Sequence, residues 1–395
     1  MTVLRLIYLS NALDEGTRSE RRITSDSPAA TQKVLQIALA LRKSGVSTIV
    51  LSLGRGRQKG TGKWFAAKVV RSGGVTIVYA PFFDFPIFTH LVSLLGLLPL
   101  VWRLRWTGRV TSILAYNRLP HYLVCMELAR LIGWRRFLDL EDGDVRNEGA
   151  IVRQWIARIL TAKFDTLCNA GGVLAARSLA SQYAGSRTVC CYGVATSIFN
   201  DRDWLTKPLV VLLGGTLQRT TGAQLFIDAI RYLRNSGRQG LDGIEFVVTG
   251  KGDMAESLQE LSTQEGLPSV RFLGSVSRDD YVRVVRRAHI GLALKLPSSD
   301  LADTTFPSKV IELASAGLMV LSTRISDVPN LFKEDGAIYL LNEDPQAFAN
   351  QLLGLVENRD MVARTATRGQ LYIEQACAPQ RVGQSLKAFF SDSGL

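Results

Sequence analysis

Residues 306–323 read FPSKVIELASAGLMVLST, and the folding of this string decides how the rest of the chain is organised. Val310, Ile311, Leu313 and Ala314 fall on the apolar face of a helix, with Ser308 in the position of an N-cap. Gly317 stops that helix, and Leu318 to Leu321 read as a buried strand. A loop rich in Ser, Asp and Thr, Pro297 to Thr305, leads into the helix. Chain entering a helix offers unpaired N–H groups and the positive end of a dipole, a combination that suits phosphate. Lys309 adds a full charge there. Glu312, about one turn further on, has the oxygens to accept a pair of sugar hydroxyls, as acidic residues do at ribose. The same residues also fit an ordinary capped helix with an exposed Lys and Glu.

The string resembles the C-terminal signature of family-4 (group 1) retaining glycosyltransferases of the GT-B fold. In that family two glutamates eight positions apart flank a phosphate-binding helix start. The second, which binds the nucleotide ribose, falls on Glu312. The first, which touches the donor sugar, falls on Thr304, so this chain departs from the pattern; Asp303 and Asp300 are the nearest acidic candidates. Upstream, the strand Leu209 to Leu213 runs into Gly214-Gly215-Thr216. There the family usually carries an Arg and a Lys for the donor diphosphate, and their positions fall on Thr216 and Thr221. Arg219 lies between them as a possible substitute. The segment IEFVVTGKGD, residues 244–253, is similar to the family's G-x-G turn, with Lys251 in reach of a phosphate. Val270 to Gly274 resembles the strand whose backbone meets the base. The resemblance covers residues 209–323 well and the first half only in layout.

The bulk properties agree with two domains. A chain of 395 residues exceeds one typical core and suits two of roughly 200 each. With 47% hydrophobic and 21% charged residues it is globular, without a disordered or repeat signature. The net charge of +12 is unevenly placed: residues 1–200 carry 26 Lys and Arg against 12 Asp and Glu. A basic first half calls for an anionic partner, such as phospholipid, lipid diphosphate or nucleic acid. No nucleic-acid module is recognisable. The five cysteines are odd in number and lack C-x-x-C spacing, which reads as buried thiols in a reducing cytoplasm. With three histidines no metal constellation stands out. The chain enters a strand at once, with no signal peptide to read.

The first half opens β-loop-α-β. A strand at Val3 to Leu9 and a polar loop with Arg18, Arg21 and Arg22 precede a helix from Ser27-Pro28; a strand at Thr48 to Leu53 follows. Residues Arg55 to Lys63 tempt as a phosphate loop but fail the Walker pattern, since Arg57 stands where its first Gly belongs and Trp64 follows Lys63. They read as a flexible basic loop. A strand at Val75 to Tyr79 precedes the most hydrophobic run, Phe85 to Trp102, which is followed by Arg103, Arg105, Trp106 and Arg109. Eighteen helical residues would reach about 27 Å, nearly a bilayer core. Flanking strands of one sheet argue against a crossing. The preferred reading is a crossover helix whose outer face rests on a membrane, against the plainer one of a core helix.

A strand at Val110 to Tyr116 ends in Asn117 and His121, candidates for the acceptor because ligands bind beyond the carboxyl ends of parallel strands. The run FLDLEDGD, residues 137–144, gathers Asp139, Glu141, Asp142 and Asp144. It admits three readings: helix-capping or crevice carboxylates, a divalent-metal site like that of the other large glycosyltransferase fold, GT-A, or a catalytic base for an acceptor hydroxyl, with Asp142 in that role. Further on, a helix near 150–163, a strand at Thr166 to Asn169, a helix near 173–183 and a strand at Arg187 to Tyr192 are expected. An interdomain linker falls in Gly193 to Lys207.

The expectation is therefore an α/β chain of GT-B type: two doubly wound parallel-sheet, Rossmann-like domains facing across a cleft. Residues 1–200 would bind the acceptor at a membrane, and 201–395 the nucleotide sugar, with the last helix returning to the first domain. The resemblance implies sugar transfer from a nucleotide diphosphate sugar to a lipid-linked or saccharide acceptor in cell-surface polysaccharide synthesis, with the anomeric configuration retained. Donor contacts would come from Gly215, Thr216, Arg219, Lys251, Ser308, Lys309 and Glu312, and donor-sugar contacts from Asp303 or Thr304. The scheme asks for no metal or cofactor, and places the protein on the inner face of the plasma membrane. A non-catalytic GT-B scaffold is the competing reading, supported by the threonines at 216, 221 and 304. A metal-dependent GT-A-like transferase using Asp139 to Asp144 is the other.

Overall fold

The protein was analysed as a computed structural model that describes residues 4–23, 26–56, 62–85, 88–106, 111–143, 151–185, 187–196, 202–206, 208–299 and 302–392. The chain forms two units: Met1–Val194 together with Cys377–Leu395, and Ala195–Ala376.

In the first unit the strands are β1 (Arg5–Ser10), β2 (Ser47–Ser52), β3 (Trp64–Phe65), β4 (Lys68–Ser72), β5 (Val75–Tyr79), β6 (Phe82–Phe83), β7 (Ser112–Tyr116), β8 (Arg135–Leu140), β9 (Gly171–Leu174) and β10 (Thr188–Cys190). Eight of them make one sheet in the order β10-β9-β8-β7-β1-β2-β5-β4, while β3 pairs with β6 in a separate ribbon. All pairings in the large sheet are parallel except β4 with β5. The helices are α1 (Glu15–Glu20), α2 (Pro28–Lys43), α3 (Phe88–Trp106), α4 (Pro120–Leu131) and α5 (Ile151–Leu167). Ser27 caps α2 by accepting the Ala30 N–H, with Pro28 in the first turn.

The second unit holds β11 (Leu209–Thr216), β12 (Ile244–Lys251), β13 (Ser269–Phe272), β14 (Ile290–Ala293), β15 (Met319–Ser322) and β16 (Ile338–Tyr339). Its sheet is wholly parallel, in the order β13-β12-β11-β14-β15-β16. Helices α6 (Ala223–Asn235), α7 (Ala255–Thr263), α8 (Arg278–Arg287), α9 (Lys309–Ser315), α10 (Val328–Phe332), α11 (Pro345–Glu357) and α12 (Arg359–Cys377) complete it. Helix α6 shows why such segments fold as they do: Leu225, Phe226, Ala229, Ile230 and Leu233 are all buried on one face, against Phe246 and the strands behind it. The strand order reverses between β11 and β14, and in parallel sheets the crevice at the carboxyl end of such a reversal is where ligands sit.

The final helix, α13 (Pro379–Ser391), belongs to the first unit and packs on α2. Phe390 is fully buried, its ring 4.8 Å edge-on from Phe137 of β8.

Three expectations need correction. The strand expected at 166–169 is the end of α5 and the turn after it, and the helix expected at 173–183 is the end of β9 followed by a 3₁₀ segment, Arg177–Gln182. Sheet packing decides this. Gly171 and Gly172 leave room for Phe389 and Tyr183, whose ring atoms would lie 2.6 and 2.9 Å from an added Cβ. The loop expected to hold Arg18 and Arg21 contains α1, capped by Asp14 at its start and Arg21 at its end. Arg21 is buried, and its guanidinium donates to the carbonyls of Gly54 and Ala80. The start of β7 expected at Val110, most of the basic loop at 57–61, Arg109 and linker residues 197–201 and 207 lie outside the described residues.

Phe390→Ala is expected to destabilise the first unit by about 3–5 kcal/mol, as deletion of a buried aromatic side chain does. Urea unfolding followed by far-UV circular dichroism will show it as a lowered midpoint for one of two transitions.

Candidate functional site

At the carboxyl end of the second sheet, β11 and β12 run side by side to their last residues, with Gly215 opposite Gly250 and Thr216 opposite Lys251. The two backbones come unusually close. A Cβ on Gly250 would lie 1.8 Å from the Gly215 carbonyl oxygen, and Gly250 has φ +134. Only glycine meets both conditions.

Gly215, at φ +102, leaves space of a different kind: an added Cβ there would stand 2.7 Å from Lys309 Nζ. The first residue of α9 thus lays its ammonium over the β11 turn. Lys309 makes no hydrogen bond or ion pair with the described residues. Burial lowers its pKa, opposed by the charge of Glu312. Glu312 retains exposed surface, yet protein crowds its carboxylate enough that desolvation raises its pKa against the pull of Lys309 and Arg278. Tyr281 of α8 closes the other side, near Gly214, with its phenol pushed up by burial and by Glu312. The structure therefore gathers Gly215, Lys309 and Glu312, all legible in the sequence. It adds Tyr281 and Arg278, which were missed because α8 reads simply as an amphipathic helix.

The remaining donor candidates are placed as follows. Thr216, Arg219, Lys251 and Ser308 are exposed. Ser308 sits before α9 but does not cap it: its backbone is already helical (φ −51, ψ −21) and its side chain makes no capping bond. That corrects the expected N-cap. Thr221, standing where the family's Lys belongs, has a structural task instead. Its hydroxyl donates to the Thr216 carbonyl at 2.7 Å and accepts the Gln218 N–H at 3.0 Å. Asp303 is exposed, whereas the Thr304 and Thr305 hydroxyl oxygens are enclosed without a hydrogen-bond partner. Asp300 lies outside the described residues.

In the first unit the acidic run divides. Asp139 is buried and accepts from the Tyr8 hydroxyl; Glu141 meets Lys33 at 2.6 Å; Asp142 is exposed; Asp144 lies outside the described residues. Asn117 (φ +58) accepts the Glu141 N–H through its side chain at 2.8 Å, and its own N–H donates to the Asp139 carbonyl at 2.7 Å. Its visible task is to fix the end of β8. His121 Nδ1 lies 3.1 Å from the Arg55 guanidinium and is the acceptor of that pair. Among the described residues no three His, Cys, Asp or Glu side chains are gathered as a metal site requires. Within the run, Asp139 and Glu141 belong to a buried charge network with Tyr8 and Lys33, while Asp142 stands exposed.

That network has one ammonium facing two carboxyls. Burial raises Asp139, and raises Glu141 from 4.5 to about 8, while Lys33 is held well above its ordinary value, with the paired carboxylates outweighing its burial. Both shifts favour the protonated carboxyl over the ordinary carboxylate.

Residues 207–358 match the family model described as glycosyl transferases group 1. The chain is 27% identical over 175 residues to the amylovoran biosynthesis glycosyltransferase AmsK of Erwinia amylovora, covering 44% of this chain and 42% of that one. It thus spans less than half the length of that relative. It is 23% identical over 321 residues to a component of the phosphatidylinositol N-acetylglucosaminyltransferase of Arabidopsis thaliana, covering 79% of this chain and 67% of that one. Among solved structures, Anabaena Alr3699/HepE in complex with UDP superposes with a TM-score of 0.64 at 16% identity, over 98% of this chain and 100% of that one. The fold is GT-B, and the matches support a glycosyltransferase of group 1.

The raised carboxyl pKa values give a pH prediction. The folded carboxyl pair keeps a proton that the unfolded chain releases near its ordinary value, so stability of the first unit should fall as pH climbs from about 4.5 to about 8. Lys33, with its pKa raised from 10.5, stays charged in both states across that window and adds no slope. Urea unfolding measured between those limits should show a falling midpoint, with the unfolding free energy lowered by up to about 5 kcal/mol. Asp139→Asn should flatten the curve.

Proposed function

We propose that the chain transfers a sugar from a nucleotide diphosphate sugar, with retention at the anomeric carbon, to a lipid-linked or saccharide acceptor in cell-surface polysaccharide synthesis. The observation that carries the proposal is the Lys309 ammonium over Gly215, uncommitted to any carboxylate oxygen, with Glu312 one turn away.

Charge builds on the leaving diphosphate as the glycosidic bond breaks, and a positioned cation stabilises it there. Lys309 takes that role with its side chain and backbone N–H, helped by Arg219 and Lys251, whereas the Ser308 N–H already donates to the Phe306 carbonyl at 2.9 Å. Gly215 and Thr216 give the diphosphate room to approach the turn. Glu312 holds the ribose hydroxyls, and Asp303 or Thr304 the donor sugar. The two enclosed threonine hydroxyls are suited to hydrogen-bond sugar hydroxyls where the family has a glutamate. Asp142 is the proposed base for the acceptor hydroxyl, with Asn117 and His121 on the acceptor side; no metal or cofactor enters the scheme. The UDP bound in the HepE structure supports a nucleotide donor, and the AmsK relative supports a polysaccharide product. The phosphatidylinositol-directed plant relative and the basic first half support a lipid-linked acceptor at the inner face of the plasma membrane.

The scaffold reading retains one specific support, the Thr221 hydroxyl closing a turn where the family places a diphosphate-binding lysine. Turnover separates the two readings.

UDP and nucleotide sugars at saturating concentration are expected to raise the melting temperature, since a ligand at a hundred times its Kd adds about 2.7 kcal/mol. Glu312→Ala and Lys309→Met should each weaken nucleotide affinity at least ten-fold, about 1.4 kcal/mol. Unchanged affinity in both variants overturns the donor site. Nucleotide binding without turnover on any donor and lipid-extract acceptor favours the scaffold.

A further inference from the structure

Helix α3 is apolar on two opposite sides, and the protein covers only one. Leu97 and Val101 are fully buried, and the helix packs on α4 and β6. On the other side Phe88, Leu91, Leu95, Pro99 and Trp102 are exposed, at the three- and four-residue spacing of a single helix face. At 1.5 Å per residue the stripe is about 21 Å long. Leu91 and Leu95 keep 51% and 55% of their surface open, and apolar surface left contiguous in this way usually marks a contact site.

The ends of the stripe say what the contact is. At the first end the Phe88 ring lies 5.9 Å from Phe85 and 6.5 Å from Phe83, and Phe83 lies 6.4 Å from Trp64 of the β3–β6 ribbon. Trp64 and Phe85 are themselves exposed, and Lys63 stands beside them, its ammonium 5.2 Å from the Phe65 ring. At the far end the Arg105 guanidinium lies 5.1 Å from the Trp102 ring, with Arg103 exposed alongside. The segment 88–106 contains no Asp or Glu, and the nearby Asp84 is only 4% exposed. Exposed leucines flanked by aromatic rings and cations suit a helix lying in a lipid interface, with the apolar side chains among acyl chains and the rings and cations at anionic headgroups. No helix among the described residues is long and apolar enough to cross a membrane, so α3 would lie along the surface.

We propose that the outer face of α3 and the aromatic tip of the β3–β6 ribbon form a docking surface for an anionic phospholipid bilayer. This deepens the reading of a lipid-linked acceptor, because it names the part of the first unit that brings the protein to the lipid.

The test is sedimentation of the full chain with vesicles of phosphatidylcholine alone or mixed with phosphatidylglycerol, without nucleotide. Wild type should bind the mixed vesicles. Leu91→Ser combined with Leu95→Ser should lose binding by roughly ten-fold or more, as loss of buried apolar area predicts. Arg103→Glu combined with Arg105→Glu should lose at least as much on the mixed vesicles, with high salt weakening wild type in the same direction. Leu341→Ser, which changes an 81% exposed leucine in the other unit, should bind like wild type. The substituted side chains are exposed, and unchanged circular dichroism would confirm that the variants fold. Wild type that ignores mixed vesicles, or a leucine double variant that still binds, overturns the proposal. So does a wild-type dimer that this variant converts to monomer with no vesicle binding in either, since the stripe is then a contact between copies. UDP stabilisation measured on the same preparations keeps failure of the donor site distinct from failure of this surface.

Discussion

An ammonium held against a glycine turn, with no carboxylate oxygen in bonding distance, is costly unless something anionic arrives. Desolvation penalises the charged form, and a neighbouring charge one helical turn away recovers only part of that cost. Lys309 is in this situation. The features around it leave room beside the ammonium: glycines at 215 and 250 where two strand ends nearly touch, and Tyr281 against Gly214. The second sheet positions all of this. Its strand reversal between β11 and β14 opens the crevice, and the register of β11 with β12 fixes which residues border it.

The first unit solves the opposite problem. Tyr8, Lys33, Asp139 and Glu141 bring their charges together beneath the surface and satisfy most of them internally. Such a network is a weak source of stability but an intolerant one, because removing Lys33 leaves two carboxyls buried without their cation. Its geometry is directed at holding the ends of β1 and β8 and the Asn117 turn in place.

Periodicity and punctuation in the sequence carry most of the architecture. The alternation of strands and helices, Gly317 ending α9 and the glycine pair at β11 are legible because local rules and tertiary packing agree there. They disagree around residues 171–183, where helical spacing is overridden by two glycines that make room for Phe389 and Tyr183 against the sheet. Phe389 is distant in sequence, so no local pattern announces it. The site divides along the same line. Lys309, Glu312 and Gly215 belong to a contiguous motif or a recognisable turn. Tyr281 and Arg278 reach it from a helix whose own pattern speaks only of burial, and Lys33 hides as a charged residue on the apolar side of α2. Ser308 shows the converse: a residue type that suggests a cap does not act as one when its own backbone is already helical.

The return of α13 to the first unit makes that unit discontinuous along the chain, with the whole of the second unit inserted in it. During synthesis the inserted unit can close as soon as residue 376 emerges, whereas the unit begun first must wait for a helix made after it. Until then the face of α2 and the Phe137 edge of β8 stay open to solvent, and partly built sheets with uncovered apolar surface are the species that aggregate or recruit chaperones. The order of translation is therefore the reverse of the order of completion, and the nascent amino-terminal sheet is the point at which the cell's quality control would act on this protein.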